Sequence, residues 1–280
     1  MGITLEARAK INWALDITGI RTDGYHLLNM LMQEIELSDT LSVEPAGEVS
    51  LLVDGVEDPN PERNLVVRAA RALNALTGQE RGARIELTKR VPARAGLGGG
   101  SADCAAALRA LDELWGLRLP ESTLMAIGAK LGADVPFCLA GGLAMVSGIG
   151  EVIVPVPGAP RIPLVLVTPG GGLSTAEVFR LWDEGSFPPV SLDVRALAGA
   201  VTRNDLAAVD RLCANALTAP AIQLMPEIDS LIRRMRELGA GAAFMTGSGS
   251  TVVGAFADDA AARSAADAIP GAVLTHTVER

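Results

Sequence analysis

The sequence has few of the residues that build metal sites, disulfide frameworks and aromatic binding surfaces. Its 280 residues include two histidines, three cysteines and one tyrosine, and aromatic residues make up only 3%. Cys104, Cys138 and Cys213 lie far apart and form no CxxC pair, so a structural zinc site is not expected. We assign no protein ligand to a metal ion from the sequence.

Basic residues are also scarce. The 24 Lys and Arg residues are outnumbered by 33 Asp and Glu residues, which gives a formal net charge of −9. There is neither a basic run nor a basic patch interleaved with aromatic residues, so nucleic acid and anionic membranes are not expected as partners. The stretch MGITLEARAK is charged where a secretory signal has an apolar core, and the longest uncharged apolar stretch, 135–146, is shorter than the ~20 residues of a membrane span. We therefore expect a cytoplasmic protein with reduced thiols.

Hydrophobic periodicity and turn residues predict two α+β domains. Prolines concentrate in PVPGAPRIP, so we place the domain boundary near 155–162 and assign residues 1–158 and 159–280 to an N-terminal and a C-terminal domain. A long helical tract is predicted over about 193–218. The last part of the chain is predicted to form a helix, two strands, a helix and a strand, an order typical of a ferredoxin-like unit. We expect an active-site cleft between the two domains.

Four glycines fall within five residues in PARAGLGGGSADCAAAL, residues 92–108, and an alanine-rich helix follows. The spacing does not fit a Rossmann GxGxxG, no Lys-Ser/Thr ends the loop as in a P-loop, and the chain has neither the HRD nor the DFG tripeptide of protein kinases. Consecutive glycines still allow backbone N–H groups to converge on an anion, and Ser101 is predicted to cap the helix whose positive end points there. The alternative is a flexible connector before an ordinary packing helix.

A second glycine loop, MTGSGST at 245–251, lies between two predicted strands. It is consistent with a second contact to an anion or with a simple hairpin turn, because glycine-rich turns are common in hairpins.

Several motifs together resemble one enzyme family. The two glycine loops resemble the phosphate loop and the third motif of the galactokinase–homoserine kinase–mevalonate kinase–phosphomevalonate kinase (GHMP) superfamily. AKINWALDITGIRTDGYHLL (9–28) and LGADVPFCLAGGLAMVSGIGE (131–151) are more specific, and they resemble the 4-diphosphocytidyl-2-C-methyl-D-erythritol kinases of the non-mevalonate isoprenoid pathway. The resemblance extends over nearly the full length. It implies a two-domain α+β GHMP-kinase-like fold and ATP-dependent phosphorylation of the substrate's 2-hydroxyl.

The resemblance implies that Lys10 and Asp134 form the catalytic pair. A carboxylate can orient the acceptor hydroxyl and take its proton, while a neighbouring ammonium keeps the carboxylate ionised and stabilises developing negative charge. Taken alone, Lys10 better suits a solvated lysine at a strand end, and Asp134 better suits a cap or turn residue before Val135. Whether Asp134 acts as a base or only orients the hydroxyl is left open.

The resemblance also implies the remaining site residues. Substrate contacts are Asn12, Tyr25, His26, Thr175 and Phe179, with Tyr25 as a stacking surface for the pyrimidine. ATP contacts are Asn64, Lys89, Pro92, Gly96, Leu97, Gly98, Gly99, Gly100, Ser101 and Ala102, and the loop of Gly247, Ser248 and Gly249 is expected to close the cleft. ATP is the phosphoryl donor, and Mg²⁺ is held mainly by the triphosphate and water. Position alone equally suits a helix N-cap for Asn64, a solvated edge for Lys89, a structural role for His26 and a core aromatic for Phe179.

Two other functions are left open by the glycine loops alone. One is another small-molecule kinase of the superfamily, such as a homoserine kinase, and the DGYH segment argues against it. The other is a catalytically silent nucleotide-binding homologue, and the presence of both Lys10 and Asp134 argues against that. The expected partner is a small-molecule substrate, and the sequence does not decide between a monomer and a homodimer.

Overall fold

A computed structural model describes residues 2–279, and these form two compact units. Unit 1 contains the described residues up to Ala9 together with Leu37–Val91 and Gly98–Ala140. Unit 2 contains Lys10–Glu36, Pro92–Leu97 and the described residues from Gly141 onward. Each unit is therefore assembled from segments that are distant in the sequence. The boundary expected at 158–159 stays a prediction.

Two long strands, β1 (Ile3–Ile20) and β2 (His26–Ala46), contribute residues to both units. The other elements of unit 1 are β3 (Val49–Val53), β4 (Val56–Glu57), α1 (Leu65–Thr77), β5 (Gly82–Thr88), α2 (Gly99–Leu114), α3 (Glu121–Leu131) and α4 (Val135–Ala140). Within unit 1, β5 pairs antiparallel with β2 and parallel with β3. Alternate residues of β5 are buried, and they share one hydrophobic core with α1 and α2.

Helix α1 begins and ends at the residues that its sequence indicates. The Asn64 side chain accepts a hydrogen bond from the Val66 N–H at 3.0 Å, as an N-cap does. Gly78 ends the helix with a φ of 65°, in the left-handed region where glycine has no Cβ penalty. The prediction of an N-cap at Asn64 is confirmed.

Helix α2 begins three residues before the predicted start near Ala102. Its N-cap is Gly98, with a φ of 70°, and no side chain caps it. The prediction that Ser101 caps the helix is therefore wrong, since Ser101 lies inside the first turn. The physical reason is that the glycines before Ser101 already adopt helical geometry, with the left-handed Gly98 as the residue before the first turn. Gly99 packs closely, since a Cβ there would lie 2.9 Å from Val91 Cγ1.

Unit 2 contains a second set of elements and a sheet of its own. They are β6 (Leu143–Gly148), β7 (Val152–Pro155), β8 (Pro163–Val167), α5 (Thr175–Glu184), α6 (Val194–Thr202), α7 (Leu206–Leu212), α8 (Thr218–Leu224), α9 (Glu227–Glu237), β9 (Ala242–Met245), β10 (Val252–Ala255), α10 (Asp259–Asp267) and β11 (Val273–His276). β6 pairs antiparallel with β2 and β7. The four-stranded sheet has the order β11-β8-β10-β9 with antiparallel neighbours, which confirms the ferredoxin-like prediction.

The helical tract predicted over about 193–218 is divided in the structure into α6, α7 and the start of α8. Asn204 has a φ of 52° and ends the first helix. The Asp205 side chain then accepts from the Ala208 N–H at 3.0 Å and caps α7. Asn and Asp favour such turns and caps, and here they interrupt the apolar periodicity.

Candidate active site

Lys10 lies in β1 with its side chain buried inside unit 2, at 4% exposure. Its Nζ donates to Asn12 Oδ1 at 2.7 Å and to the Gly96 carbonyl at 3.0 Å. Its backbone N–H donates to the Leu97 carbonyl at 2.9 Å. A buried ammonium needs such acceptors because desolvation penalises its charge. Lys10 is thus fixed against the start of the glycine loop and is not a solvated lysine at a strand end.

Asn12 is also buried, at 2% exposure. Its Oδ1 accepts from Lys10 Nζ, its Nδ2 lies 3.3 Å from Met30 Sδ, and its backbone N–H donates to Thr246 Oγ1 at 2.7 Å. The side chain therefore holds the Lys10 ammonium in place. The contact with substrate that the sequence indicates for Asn12 stays a prediction.

The loop between β9 and β10, residues 246–251, packs against the same part of unit 2. Gly96 has a φ of 77°, and a Cβ there would lie 2.4 Å from the Thr246 carbonyl oxygen. A Cβ on Gly247 would lie 3.3 Å from Lys10 Nζ. The Ser248 and Thr175 hydroxyls lie 2.8 Å apart. Hence this loop joins two strands of a hairpin and also borders the segment that holds Lys10.

His26, the first residue of β2, lies against one face of α5. Its ring centroid is 4.6 Å from that of Phe179 and 5.7 Å from that of Trp182, and its Nε2 lies 2.8 Å from Asp183 Oδ1. Tyr25 is 60% exposed. The structure thus brings His26 and Phe179 together, as two residues of the predicted substrate site.

Trp182 and Asp183 were missed by the sequence analysis. They follow Phe179 at spacings of three and four residues, which places all three on one face of a helix. That spacing is the signal that could have found them. Only the fold brings His26 to the same face, from 157 positions away in the sequence.

In unit 1, the end of the glycine loop leads directly into α2. No side-chain acceptor caps the N-terminus of this helix in the described part of the chain. No acidic residue lies between positions 91 and 102. The N–H groups of a first helical turn and the helix dipole favour an anion. The arrangement therefore suits an anion, and the binding of phosphate by this loop stays a prediction.

Lys89 lies close to this helix, between two buried carboxylates of unit 1. Its Nζ is hydrogen-bonded to Asp39 Oδ2 and lies 2.6 Å from Asp103 Oδ2. Burial opposes the charge of Lys89, but the negative charge of Asp103 and the hydrogen bonds outweigh it and raise the pKa of the ammonium. Burial also raises the pKa of Asp103 to about 7, although Lys89 acts in the opposite direction. Lys89 is therefore part of a buried charge cluster and not a solvated edge residue.

Asn64, the other nucleoside contact implied by the sequence, is fixed by local bonds. Besides capping α1, it donates through Nδ2 to Asp58 Oδ2 at 3.1 Å. The contacts of Asn64 and Lys89 with ATP stay predictions.

Asp134 belongs to unit 1 and directly precedes α4. Its carbonyl oxygen accepts from the Cys138 N–H at 3.0 Å, so its backbone begins the helix. The turn position that the sequence allows for Asp134 is thus observed. Because Lys10 belongs to unit 2, the pairing of the two residues stays a prediction.

Two family models match the chain. The model of the GHMP kinases N terminal domain matches residues 64–142, and that of the GHMP kinases C terminal domain matches residues 197–274. The 4-diphosphocytidyl-2-C-methyl-D-erythritol kinase of Pelotomaculum thermopropionicum is 45% identical over 268 residues, which cover 95% of this chain and 93% of the relative. The chain belongs to the 4-diphosphocytidyl-2-C-methyl-D-erythritol kinase family. Another member, from Rhizobium johnstonii, is 44% identical over 277 residues, which cover 97% of this chain and 90% of the relative.

Solved structures agree with membership in the 4-diphosphocytidyl-2-C-methyl-D-erythritol kinase family. A crystal structure of a 4-(cytidine 5'-diphospho)-2C-methyl-D-erythritol kinase matches with a TM-score of 0.84 and 35% identity, covering 99% of this chain and all of the other. A homoserine kinase from Cytophaga hutchinsonii matches with a TM-score of 0.75 at 20% identity, which shows a shared fold only. The α+β GHMP kinase fold is confirmed. Family membership makes the chain a kinase with ATP as its phosphoryl donor.

Three further findings concern this family member within residues 2–279. No group of three or more His, Cys, Asp or Glu side chains is arranged there to hold a metal ion. The acidic pair of Asp39 and Asp103 is occupied by Lys89. In the same range, every helix is too short or too polar to cross a membrane.

Proposed function

We propose that the chain transfers the γ-phosphoryl group of ATP to the 2-hydroxyl of 4-diphosphocytidyl-2-C-methyl-D-erythritol, a step of the non-mevalonate isoprenoid pathway. The observation that carries the proposal is the buried Lys10 ammonium, which the Gly96 carbonyl holds at 3.0 Å beside the start of the glycine loop. A cation fixed at an anion-binding loop stabilises charge that develops on a transferring phosphoryl group. The substrate is taken from the names of the relatives at 45% and 44% identity.

In the proposed step, the oxygen of the 2-hydroxyl attacks the γ-phosphorus, the bond to the bridging oxygen breaks, and ADP leaves. Asp134 orients the hydroxyl and accepts its proton, while Lys10 stabilises the negative charge that develops on the transferring group. Asn12 keeps the ammonium in position through the 2.7 Å bond to its Oδ1. Phosphoryl transfer through a loose transition state depends mainly on positioning and electrostatics, so few side chains suffice.

The glycine loop and the first turn of α2 are proposed to bind the phosphates. The positive φ angles of Gly96 and Gly98 and the uncapped start of α2 support this, because they leave backbone N–H groups for an anion. Mg²⁺ bound to the triphosphate would neutralise part of its charge. Since Lys89 occupies the nearby carboxylates, the residues present fit an ion held by phosphate oxygens and water. The loop of residues 247–249 is proposed to cover the phosphates.

The cytidine of the substrate and the adenosine of ATP are proposed to bind at separate sites. Tyr25, His26 and Phe179 bind the cytosine, and the 4.6 Å distance between the last two rings supports a common aromatic site. Thr175, whose hydroxyl lies 2.8 Å from that of Ser248, is proposed to contact the same substrate. The adenine is proposed to lie near the segment that begins at Pro92, beside Asn64 and Lys89.

The experiment that tests the proposal supplies Mg-ATP with one alcohol at a time and measures ADP. We expect turnover with 4-diphosphocytidyl-2-C-methyl-D-erythritol and much less with homoserine or mevalonate. Turnover with homoserine alone would favour another kinase of the superfamily. A folded protein that releases no ADP with any of the three would favour a catalytically silent homologue.

The net charge of −9 further supports a small-molecule enzyme without nucleic-acid partners. A test is retention of the protein on heparin at low salt, where we expect it in the flow-through. Strong retention would contradict this part of the proposal.

A further inference from the structure

One side-chain contact of His26 has no role in the transfer step described above. His26 Nε2 lies 2.8 Å from Asp183 Oδ1, and the His26 side chain is only 15% exposed. Phe179 and Trp182, on the same helix as Asp183, pack against the ring of His26. The ring is therefore held by two aromatic side chains and bonded to a carboxylate through one nitrogen.

The carboxylate determines which nitrogen of a neutral His26 carries the hydrogen. A carboxylate of Asp183 only accepts hydrogen bonds, so the hydrogen between the two groups belongs to Nε2. The other nitrogen, Nδ1, then carries a lone pair and acts as an acceptor. Among residues 2–279, no side chain or backbone group is hydrogen-bonded to His26 Nδ1.

We propose that Asp183 is a positioning residue that fixes the tautomer of His26 so that Nδ1 accepts a hydrogen bond from the amino group of the substrate's cytosine. This inference rests on the proposed function. Cytosine carries a donor amino group at the position where uracil carries an acceptor oxygen. If uracil were bound instead, its oxygen would face Nδ1, which is also an acceptor. Both acceptors would then lack a hydrogen-bond donor in a partly buried site, which is unfavourable. The Asp183–His26 pair thereby selects cytidine over uridine.

A purely structural role explains the pair less well. The Asp183 side chain is 40% exposed, and a polar contact with a partner this exposed contributes little to stability. Phe179 and Trp182 hold the ring of His26 without Asp183. Removal of the carboxylate should therefore leave the ring in place and change its hydrogen-bonding capacity.

The test compares the cytidine diphosphate-linked substrate with its uridine counterpart. For Asp183→Ala we expect the KM of the cytidine substrate to rise roughly tenfold, and the preference for cytidine over uridine to fall by a similar factor. The kcat and the KM for ATP should change little. Asp183→Asn is the sharper variant, because a carboxamide can bond either tautomer, so it should retain most affinity and still lose the preference.

The matched control is Glu184→Gln. Glu184 is the next residue of α5, and its carboxylate bonds Arg180 at 2.6 Å and not His26. We expect this variant to keep the wild-type preference. His26→Ala should lose the preference, and adding Asp183→Ala to it should have no further effect, because the two residues act as one unit.

Nitrogen-15 NMR of histidine-labelled protein gives a readout that a merely structural role would not move. The chain has only two histidines, so the His26→Ala variant assigns both signals. We expect the Nε2–H tautomer for His26 in the wild type and a mixture in Asp183→Asn. A doubly protonated ring or the opposite tautomer in the wild type would overturn the inference.

The kinetic outcomes separate this inference from the proposed function. If the wild type phosphorylates the cytidine substrate but Asp183→Ala and Asp183→Asn keep its affinity and preference, the inference is wrong and the proposed function stands. If the wild type has no activity on the cytidine substrate, the proposed function is wrong and the substrate part of the inference falls with it.

Discussion

In the proposed transfer step, Asp134 accepts a proton and Lys10 stabilises negative charge. Substitution of Asp134 should therefore lower the rate of transfer without weakening the binding of ATP. Asp134→Asn keeps the size of the side chain but cannot accept a proton. Because loss of a general base typically costs a factor of about 10² to 10⁴, kcat should fall by that order while the KM for ATP changes little. Steady-state kinetics with both substrates varied checks this.

Asp112→Asn is the control for that variant. Asp112 lies on α2 in the same unit and accepts from the Leu119 N–H at 3.0 Å, a bond that an amide oxygen can also accept. Activity of Asp112→Asn should stay near the wild-type value. Wild-type turnover by Asp134→Asn would remove Asp134 from the mechanism.

A second prediction concerns Asp103 and the pH dependence of the free energy of unfolding. It is 4% exposed, its Oδ1 has no hydrogen-bond partner among residues 2–279, and burial raises its pKa to about 7. The folded protein therefore binds a proton between about pH 4 and pH 7 that the unfolded chain releases. This group's contribution to stability must fall as the pH rises through that window, by at most about 1.4 kcal/mol per pH unit.

Asp103→Asn should remove this slope. We expect the free energy of unfolding of the wild type, relative to the variant, to decrease from pH 4 to pH 7, as measured by urea unfolding at each pH. The same comparison with Glu113→Gln, at an exposed position of α2, tests whether the effect belongs to Asp103. Parallel pH profiles for the wild type and Asp103→Asn would show that burial of this carboxyl group has no thermodynamic effect.

At the level of structural elements, the contact between the glycine loop and the β9–β10 loop leads to a prediction about stability. Gly96 has a φ of 77°, and a Cβ there would lie 2.4 Å from the Thr246 carbonyl. Gly96→Ala should therefore destabilise the protein by about 1–3 kcal/mol through backbone strain, and by more if the loops separate. Gly100→Ala is the matched control, because a Cβ at Gly100 meets nothing within 4 Å and alanine favours a helix.

Urea unfolding of the two glycine variants measures the difference. Gly100→Ala should be as stable as the wild type or more stable by about 0.5–1 kcal/mol. Equal stability of both variants would contradict the close approach of the two loops.

Elements with local signals were predictable from the sequence, and those that depend on packing were not. Asn64 and Gly78 define α1 through their own side-chain and backbone preferences. The start of α2 was misplaced because its first residues are glycines, which have a low helix propensity, and because no side chain caps the helix. The length of β1 was not predicted either, since a strand of 18 residues depends on partners that are distant in the sequence.

In the candidate site, too, some residues were predictable from local sequence and others were not. The motifs that resemble the family point to Lys10, His26 and the glycine loop, because each of these residues lies inside a motif that can be read from the sequence alone. Asp183 and the buried partners of Lys89 were missed, because an acidic residue in a helix or strand has no local pattern that reveals its partner. Only the folded chain brings them together.

At the scale of the whole molecule, sequence relationship and fold support the same account. Relatives at 45% and 44% identity cover nearly the whole chain, and the fold matches a solved member of the family with a TM-score of 0.84. The fold alone would not choose the substrate, because a homoserine kinase shares it with a TM-score of 0.75. The identity of the substrate must therefore be tested by analysing the product of the reaction.

Phosphorus NMR of the reaction product is the most direct test of the central claim. With Mg-ATP and 4-diphosphocytidyl-2-C-methyl-D-erythritol, we predict one new phosphate monoester and an equal amount of ADP. The 2-carbon carries no hydrogen, so a phosphate on its hydroxyl gives a signal without the three-bond proton splitting that a primary or secondary ester shows. A split monoester signal, or no new monoester from folded protein, would contradict the account.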